Sequence, residues 1–443
     1  MEWSRVDFVK TLFYLSVFTV SFDVFLVVNL GFNFRATQLF VLFPIFIGIT
    51  GALHKGNLVI PVGFKSLLIW TLFILAFIPN TTFLLKSVGY GFWLFFDVSL
   101  VLATVQIFNT ENKINELLTW YLYSFFFVAI FGLVQFVMPI LHLGAPLVQQ
   151  WWIPGVLPRI SGFSYESSFF ATYMLMGWVV SAYLLDSGST LVNQRRLKII
   201  FVTISLVMIL SSSRMGWLMM LVWFAQYPIR FLFNLARGKI DKKLLASSGR
   251  VVLLLSLLAI GGIWIIGMDN IPTLFAGLGL FEESGSWSAD TRLNSLNNTL
   301  QVFLDSPLIG HSLGGVSSAI GALHGVYVDN IDLGKEYEGN SIFVEVLAAS
   351  GLIGFITFVL YIYAILRKPI KLARIVDDPE KKLLIGMVLA LFFELIILQF
   401  NQVILRPYLW LHIAILSALY SVYLKKRFVR ETANIKGREY DHH

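Results

Sequence analysis

Cysteine is absent from this 443-residue chain, and charge is scarce. The first absence excludes disulfides, thiolate metal sites and a cysteine nucleophile. The second excludes an ordinary soluble domain. Asp, Glu, Lys and Arg make up 13% of the residues and hydrophobic side chains 57%, where soluble domains carry about 25% charged residues. Metal motifs are missing as well. No DxD pair, HxxxH or Cys/His spacing occurs in the outer segments, and Asp329-Asn-Ile-Asp332 lacks the alternating ligands and closing glutamate of a calcium loop. Neither a metal nor a cofactor is expected. No small-residue cleavage pattern follows the first apolar run, which contains Asp23 and is expected to be a span rather than a removable signal.

What is present is a series of apolar stretches of about 20 residues, the length that crosses a ~30 Å hydrocarbon core as a helix. Mean hydropathy is +0.77. Helices satisfy their own backbone groups in lipid, so the expected fold is all-α, a polytopic transmembrane helical bundle. About twelve spans are expected, near 7–29, 37–53, 60–79, 88–108, 116–139, 165–185, 197–211, 214–234, 250–268, 341–365, 383–403 and 407–424. The positive-inside rule orients them. Arg35, Lys86, Arg159, Arg214, Arg292, Lys335 and Arg406 fall on one side, and the other 26 of the 33 lysines and arginines on the opposite, cytoplasmic side together with both termini. The net charge of +7 follows from that asymmetry and requires no nucleic acid.

Two outer segments are long. Residues 140–164 include Trp151, Trp152, Pro154 and Pro158, suited to the headgroup interface. Residues 269–340 form a long hydrophilic external loop, and loops of that length tend to be functional or disordered. Within it, Asp290 or Thr291 is expected to cap an amphipathic helix with Leu293, Leu296, Leu300, Phe303 and Leu304 on one face, ended by Pro307. Trp287, Tyr327 and Tyr337 either stack on sugar rings or anchor the loop.

Three outer segments carry arginines in organised surroundings. Arg159-Ile-Ser-Gly-Phe-Ser-Tyr-Glu166 enters the sixth span, and Ser211-Ser-Ser-Arg214-Met-Gly216 forms a minimal turn between two spans. Arg292 precedes Pro307-Leu-Ile-Gly310-His-Ser-Leu-Gly314, and Asn340 opens a span containing Gly351-Leu-Ile-Gly354. A guanidinium near hydrocarbon costs on the order of 2.5–3.5 kcal/mol at a helix centre, so a cluster of them needs a reason. Its planar fork of donors suits phosphate or carboxylate oxygens, and several together would bind a pyrophosphate and stabilise the charge that develops as it leaves.

At these residues the chain resembles the O-antigen polymerase and O-antigen ligase superfamily of bacterial membrane glycosyltransferases, over roughly 155–365. The Ser213-Arg214-Met-Gly216 turn, the Arg292…Pro307-Leu-Ile-Gly310…Gly314 stretch and the Gly351-Leu-Ile-Gly354 helix occur in the family order. The resemblance implies a GT-C-like fold in the inner membrane. It also implies a lipid-linked oligosaccharide donor and acceptor on undecaprenyl pyrophosphate, and metal-independent transfer with inversion. Arg214 and Arg292 would contact the carrier pyrophosphate, with Arg159 a third. Ligases of this group carry a histidine ahead of the GLxG glycine, and at that position stands Asn340, which can orient a hydroxyl but cannot act as a base. This favours a polymerase.

Glu166 is then the candidate base, at the lumenal end of a span: partial burial would raise its pKa and a neighbouring arginine would lower it, a balance the sequence leaves open; the alternative is that it only pairs with an arginine. His324, Glu338 and Arg406 join Arg159 and Asn340 as candidate substrate contacts, although Glu338, Asp329 and Asp332 also read as ordinary loop charges. Asp23, Asp97, Glu345 and Glu394 lie within spans and are expected to face inward or to be paired. The expected organisation is N-terminal transmembrane helices over 1–139, a catalytic region over 140–365, and C-terminal helices with a cytoplasmic tail over 366–443. Membrane lipids, a chain-length regulator and a flippase are the implied partners. A ligase is the runner-up. A transporter of lipid-linked oligosaccharide is the alternative of a different class, disfavoured because no matching halves are seen.

Overall fold

A computed structural model describes residues 5–440 apart from 30–32, 154–156, 190–191, 329, 340, 401–403 and all but two positions of 238–283; at 5–6, 29, 33, 153, 284–292, 331–332, 335 and 433–440 it describes the backbone alone. Helices dominate. In chain order they are α1 (Arg5–Thr19), α2 (Ala36–His54), α3 (Phe64–Ala76), α4 (Leu84–Ile107), α5 (Glu111–Ile140), α6 (Ser167–Asp186) and α7 (Gln194–Leu210). There follow α8 (Arg214–Ala236), α9 (Ser284–Asp305), α10 (Gly315–Leu323), α11 (Ile331–Glu336), α12 (Ile342–Ala373), α13 (Asp378–Ile397) and α14 (Pro407–Tyr440). Among the described residues seven segments are long and apolar enough to cross a membrane: α2, α4, α5, α6, α8, α12 and residues 407–432 of α14. The chain is a multi-pass helical bundle.

Eleven of the twelve expected spans coincide with a helix, and the twelfth, 250–268, lies outside the described residues. The first is shorter than expected. α1 stops at Thr19, and the β-branched and aromatic run that follows enters an antiparallel hairpin, β1 (Val27–Asn29) with β2 (Asn33–Arg35). A second hairpin pairs β3 (Gln150–Ile153) with β4 (Leu157–Arg159), setting Gln150 opposite Arg159. The amphipathic helix of the long loop is present as α9. It begins at Ser284, earlier than the expected cap at Asp290 or Thr291, and ends at Asp305 just before Pro307.

Burial distinguishes the centre of the bundle from its lipid face. Trp178, Tyr173 and Met174 of α6 and Trp410, Ala414 and Leu416 of α14 are fully buried. On α8, Leu218, Leu221, Val222, Ile229, Leu232 and Phe233 are exposed. In water such a stripe would be a liability; against acyl chains it is the ordinary surface of a span. Polar stitches tie the interior: the Tyr121 hydroxyl lies 2.7 Å from His412 Nδ1, and His412 Nε2 lies 2.9 Å from the Met387 carbonyl, linking α5, α14 and α13.

α12 is interrupted. Gly351 takes φ 56°, ψ −171° inside it, and the loop segment after α9 docks into the break. Leu352 N–H donates to the Pro307 carbonyl at 2.8 Å, while His311 and Ser312 N–H donate to Ala348 and Ala349 carbonyls at 3.0 and 2.8 Å. A Cβ on Gly351 would fall 2.3 Å from the Leu308 carbonyl, and one on Gly310 would fall 2.4 Å from Ala349 backbone. Gly314 approaches the first turn of α4 as closely, 2.4 Å from Ser87 N to a Cβ placed there. The motif glycines therefore let bare backbone meet bare backbone, and so seat the external loop on α12 and α4.

Candidate functional site

Ion pairs gather at the two ends of the bundle. At one end Lys10 meets Glu116 at 3.3 Å, Lys426 meets Glu111 and Glu380 at 2.7 Å each, and Arg430 meets Asp377. At the other lie Asp23, Arg35, Lys86, Arg159, Glu166, Arg214, Glu338, Glu345 and Arg406, at helix ends or in the connections between them. Five of the cations expected on the outer side, Arg35, Lys86, Arg159, Arg214 and Arg406, are at this second end.

Its first part is built on the turn Ser211–Ser213. Three residues suffice to reverse the chain because Ser212 adopts a left-handed φ of 52° and Ser213 caps α8, its Oγ accepting from Gly216 N–H at 3.4 Å. Arg214 is then the first residue of α8. Arg159, at the end of β4, donates from Nε to Ser212 Oγ at 2.7 Å and from a terminal nitrogen to the Ser212 carbonyl at 3.3 Å. Burial pulls the Arg159 guanidinium below its ordinary value; the Glu166 carboxylate raises it and the Arg214 charge lowers it. It stays protonated at neutral pH. Two guanidinium groups and one carboxylate thus share a locality.

The Arg159 strand is itself held. The buried amide of Gln135 on α5 accepts from Ser161 and Gly162 N–H, both at 2.9 Å, and donates to the Leu147 carbonyl at 2.8 Å. Gln150, across the hairpin, accepts from Ser167 Oγ at 3.0 Å. Glu166 sits at the N-cap position of α6, exposed, and accepts from Ser168 Oγ at 2.8 Å. Its carboxylate is exposed, so burial does not act on it, and it projects outward from the first turn of the helix.

The second part is an array of interior charges. Lys86 Nζ donates to Glu338 and to Ser317 Oγ, each at 3.0 Å, and to the Gly334 carbonyl at 3.2 Å. The Tyr90 hydroxyl donates to the same Glu338 oxygen at 2.7 Å. Asp23 holds Arg35 Nε at 2.8 Å and an Arg406 terminal nitrogen at 3.2 Å, and Arg406 lies 4.1 Å over the ring of Phe169, in the first turn of α6. Glu345 is 3% exposed; Glu338, Lys86 and Arg406 lie within its electrostatic reach, and its Oε2 has no hydrogen-bond partner among the described residues.

Several sequence expectations are revised by this array. Glu338 is no exposed loop charge: it is half-buried and engaged by Lys86 and Tyr90. Arg406, expected to meet substrate, is buried and occupied by Asp23 and Phe169, because three distant segments converge there. Asp23 lies in the turn after α1 rather than in a span, buried and paired. Asp97, Glu345 and Glu394 are buried within their helices. His324 remains exposed, its Nε2 2.9 Å from Asn298 Nδ2, with Tyr337 ring-to-ring at 6.1 Å. Tyr327 is also exposed. Arg292 lies on α9 at a position where only backbone is described; Asn340, and the side chain of Trp287, lie outside the described residues. Tyr90 was not singled out from sequence, and Lys86 and Glu345 were named there without a role in the site. The available signal was an ionisable residue inside or at the mouth of an apolar span.

Among the described residues no group of three or more His, Asp or Glu side chains could hold a metal ion. Residues 199–359 match the family described as O-antigen ligase. The match bears out the resemblance to the O-antigen ligase and polymerase superfamily, takes in both Arg214 and Arg292, and supports ligase- or polymerase-type chemistry on lipid-linked glycans. No curated protein matches the chain.

Proposed function

We propose that this member of the O-antigen ligase and polymerase superfamily is a polymerase of O-antigen or a related surface polysaccharide. It would act in the bacterial inner membrane with both termini cytoplasmic. The observation that carries this reading is the nearness of Arg159 and Arg214 at the Ser211–Ser213 turn: Arg159 is held by two hydrogen bonds to Ser212 and lies within electrostatic reach of Arg214, the first residue of α8. Arg159, Arg214 and Arg292 bind the pyrophosphate of an undecaprenyl-linked glycan whose lipid chain lies along the apolar faces. Restrained donors of this kind stabilise a leaving pyrophosphate as its charge grows.

The reaction is one displacement. A hydroxyl oxygen of the incoming lipid-linked repeat unit attacks the anomeric carbon of the growing glycan. The carbon–oxygen bond to pyrophosphate breaks, configuration inverts, and undecaprenyl pyrophosphate departs with the bonding pair. Glu166, exposed beside Arg159, takes the hydroxyl proton; Asn340 and His324 orient the sugars. Glu345 is the second candidate base, favoured by its unpartnered oxygen. A flippase would supply donor and acceptor, and a chain-length regulator would set the number of turnovers. Asn340, where ligases of this group carry histidine, favours the polymerase over the ligase.

The test is turnover by purified protein on undecaprenyl-pyrophosphate repeat units in EDTA, with products resolved on a gel. A ladder of lengthened glycans, lost in Arg214→Ala and Arg292→Ala, supports a metal-independent polymerase. Transfer only after lipid A core is added makes the protein a ligase. Neither product, with intact protein, overturns both.

A further inference from the structure

The opposite end of the bundle holds a feature that the transfer reaction does not use. A cavity of about 850 Å³ opens between α1, α2, α4, α14 and the connection that follows α2, within the ~300–1,000 Å³ range of small-ligand sites. Four lysines line it, Lys10, Lys55, Lys113 and Lys425, and among the described residues no acid does. Lys10 and Lys55 lie within electrostatic reach of Lys113, so like charges face one another across the space. Lys10 is answered from outside the lining by Glu116 at 3.3 Å, and Lys113 reaches Asn109 at 3.5 Å. Lys55 and Lys425 are exposed and meet no acid within ion-pair distance among the described residues.

The rest of the wall is mixed: Val9, Ile47, Val105, Ile107 and Val422 stand beside the polar Asn57, Gln106, Asn109 and Ser421. Its mouth is a built feature. The Gln106 amide accepts from Val59 N–H at 3.0 Å and donates to the Val59 carbonyl at 2.7 Å, clamping the connection that carries Lys55 onto α4. Four cations, polar groups and a set of apolar side chains lining one cavity match an amphiphile that is anionic and hydrogen-bonding at one end and hydrocarbon at the other. The neighbouring surface of α2 is lipid-facing: Leu42, Phe43, Phe46 and Leu53 are exposed. Such a ligand can therefore enter sideways from the leaflet without crossing water.

We infer that this cavity binds the headgroup of an anionic phospholipid from the leaflet opposite the arginine site, the phosphate lying among Lys10, Lys55, Lys113 and Lys425 and the glycerol and upper acyl carbons against Val105, Ile107 and Val422. Bound there, the lipid bridges α1, α2, α4 and α14, and neutralises a concentration of charge that otherwise opposes their packing. The inference needs only that the chain spans a membrane; it does not depend on which glycan is made.

The experiment is native mass spectrometry of the full chain released from micelles doped with equal phosphatidylglycerol and phosphatidylcholine, repeated with inorganic pyrophosphate. Wild type is expected to retain phosphatidylglycerol preferentially. Removing charge should weaken retention about fivefold per lysine, so Lys55→Gln/Lys113→Gln should lose roughly 25-fold, while Lys55→Arg/Lys113→Arg keeps most of it. The arginine pair separates loss of charge from loss of fold. Equal retention of the two lipids, or full phosphatidylglycerol retention by the glutamine pair, overturns the site. Pyrophosphate that binds in the lipid's place with the same lysine dependence overturns the lipid assignment in favour of a soluble phosphate ligand.

Discussion

Gly310 and Gly351 meet with no side chain between them, and each would drive a Cβ to within 2.4 Å of the other segment's backbone. Gly351 also holds φ 56° with ψ −171°, a combination that is essentially restricted to glycine. Gly351→Ala should therefore destabilise the protein by about 3 kcal/mol or more. Gly89→Ala, on α4 with nothing within 4 Å of the added methyl, should be neutral or stabilise by about 0.5–1 kcal/mol. Thermal unfolding in detergent compares them, and equal midpoints for Gly351→Ala and wild type would refute the docking contact.

Two guanidinium groups depend on one carboxylate at Asp23, which is 4% exposed. Asp23→Ala leaves Arg35 and Arg406 without it and should cost about 3–5 kcal/mol. The same unfolding assay reads this. A change within experimental error would mean that the pair is not formed.

Lys86 and Glu338 form a second buried pair, joining α4 to the external loop. Lys86→Met alone should cost about 3–5 kcal/mol by stranding the Glu338 carboxylate, and Lys86→Met/Glu338→Gln should recover part of it. A double-mutant cycle with no coupling energy would remove this pair from the account of how the loop is seated.

The Ser212 hydroxyl accepts from Arg159 at 2.7 Å, beside a second hydrogen bond from Arg159 to the Ser212 carbonyl that a side-chain substitution leaves in place. Ser212→Ala should lower glycan transfer about tenfold, the effect of about 1.4 kcal/mol of lost positioning, with little change in unfolding temperature. Binding of undecaprenyl pyrophosphate should weaken in parallel. Undiminished binding and turnover would show that Arg159 does not need this contact.

The identity of the base separates two carboxylates. Glu166→Gln should reduce turnover about 10²–10⁴-fold while leaving affinity for undecaprenyl pyrophosphate unchanged. Glu345→Gln, which keeps shape and removes charge, should reduce it far less. The reverse order would transfer the role to the buried residue.

The amino-acid sequence by itself determined the membrane class, the approximate places of α1 to α8 and of α12 to α14, the amphipathic α9 and the segregation of Arg35, Lys86, Arg159, Arg214 and Arg406 to one end; the short α10 and α11 were not read from it. It could do so because lipid makes these choices local: a backbone in hydrocarbon must satisfy itself within one segment, and an unpaired charge must leave. The tight Ser211–Ser213 turn was legible for the same reason. Which charges are free for substrate was decided only by the tertiary structure. Arg406 meets Asp23 across 383 residues and Lys86 meets Glu338 across 252, and nothing in either local sequence specifies its partner. The early end of α1 has the same origin, since Asp23 is stabilised by arginines that the folded chain brings to it. The outward projection of Glu166 and the break at Gly351 likewise depend on what packs beside them. Propensity and hydropathy act over one turn of helix, whereas the neutralisation of a buried charge acts across the whole bundle.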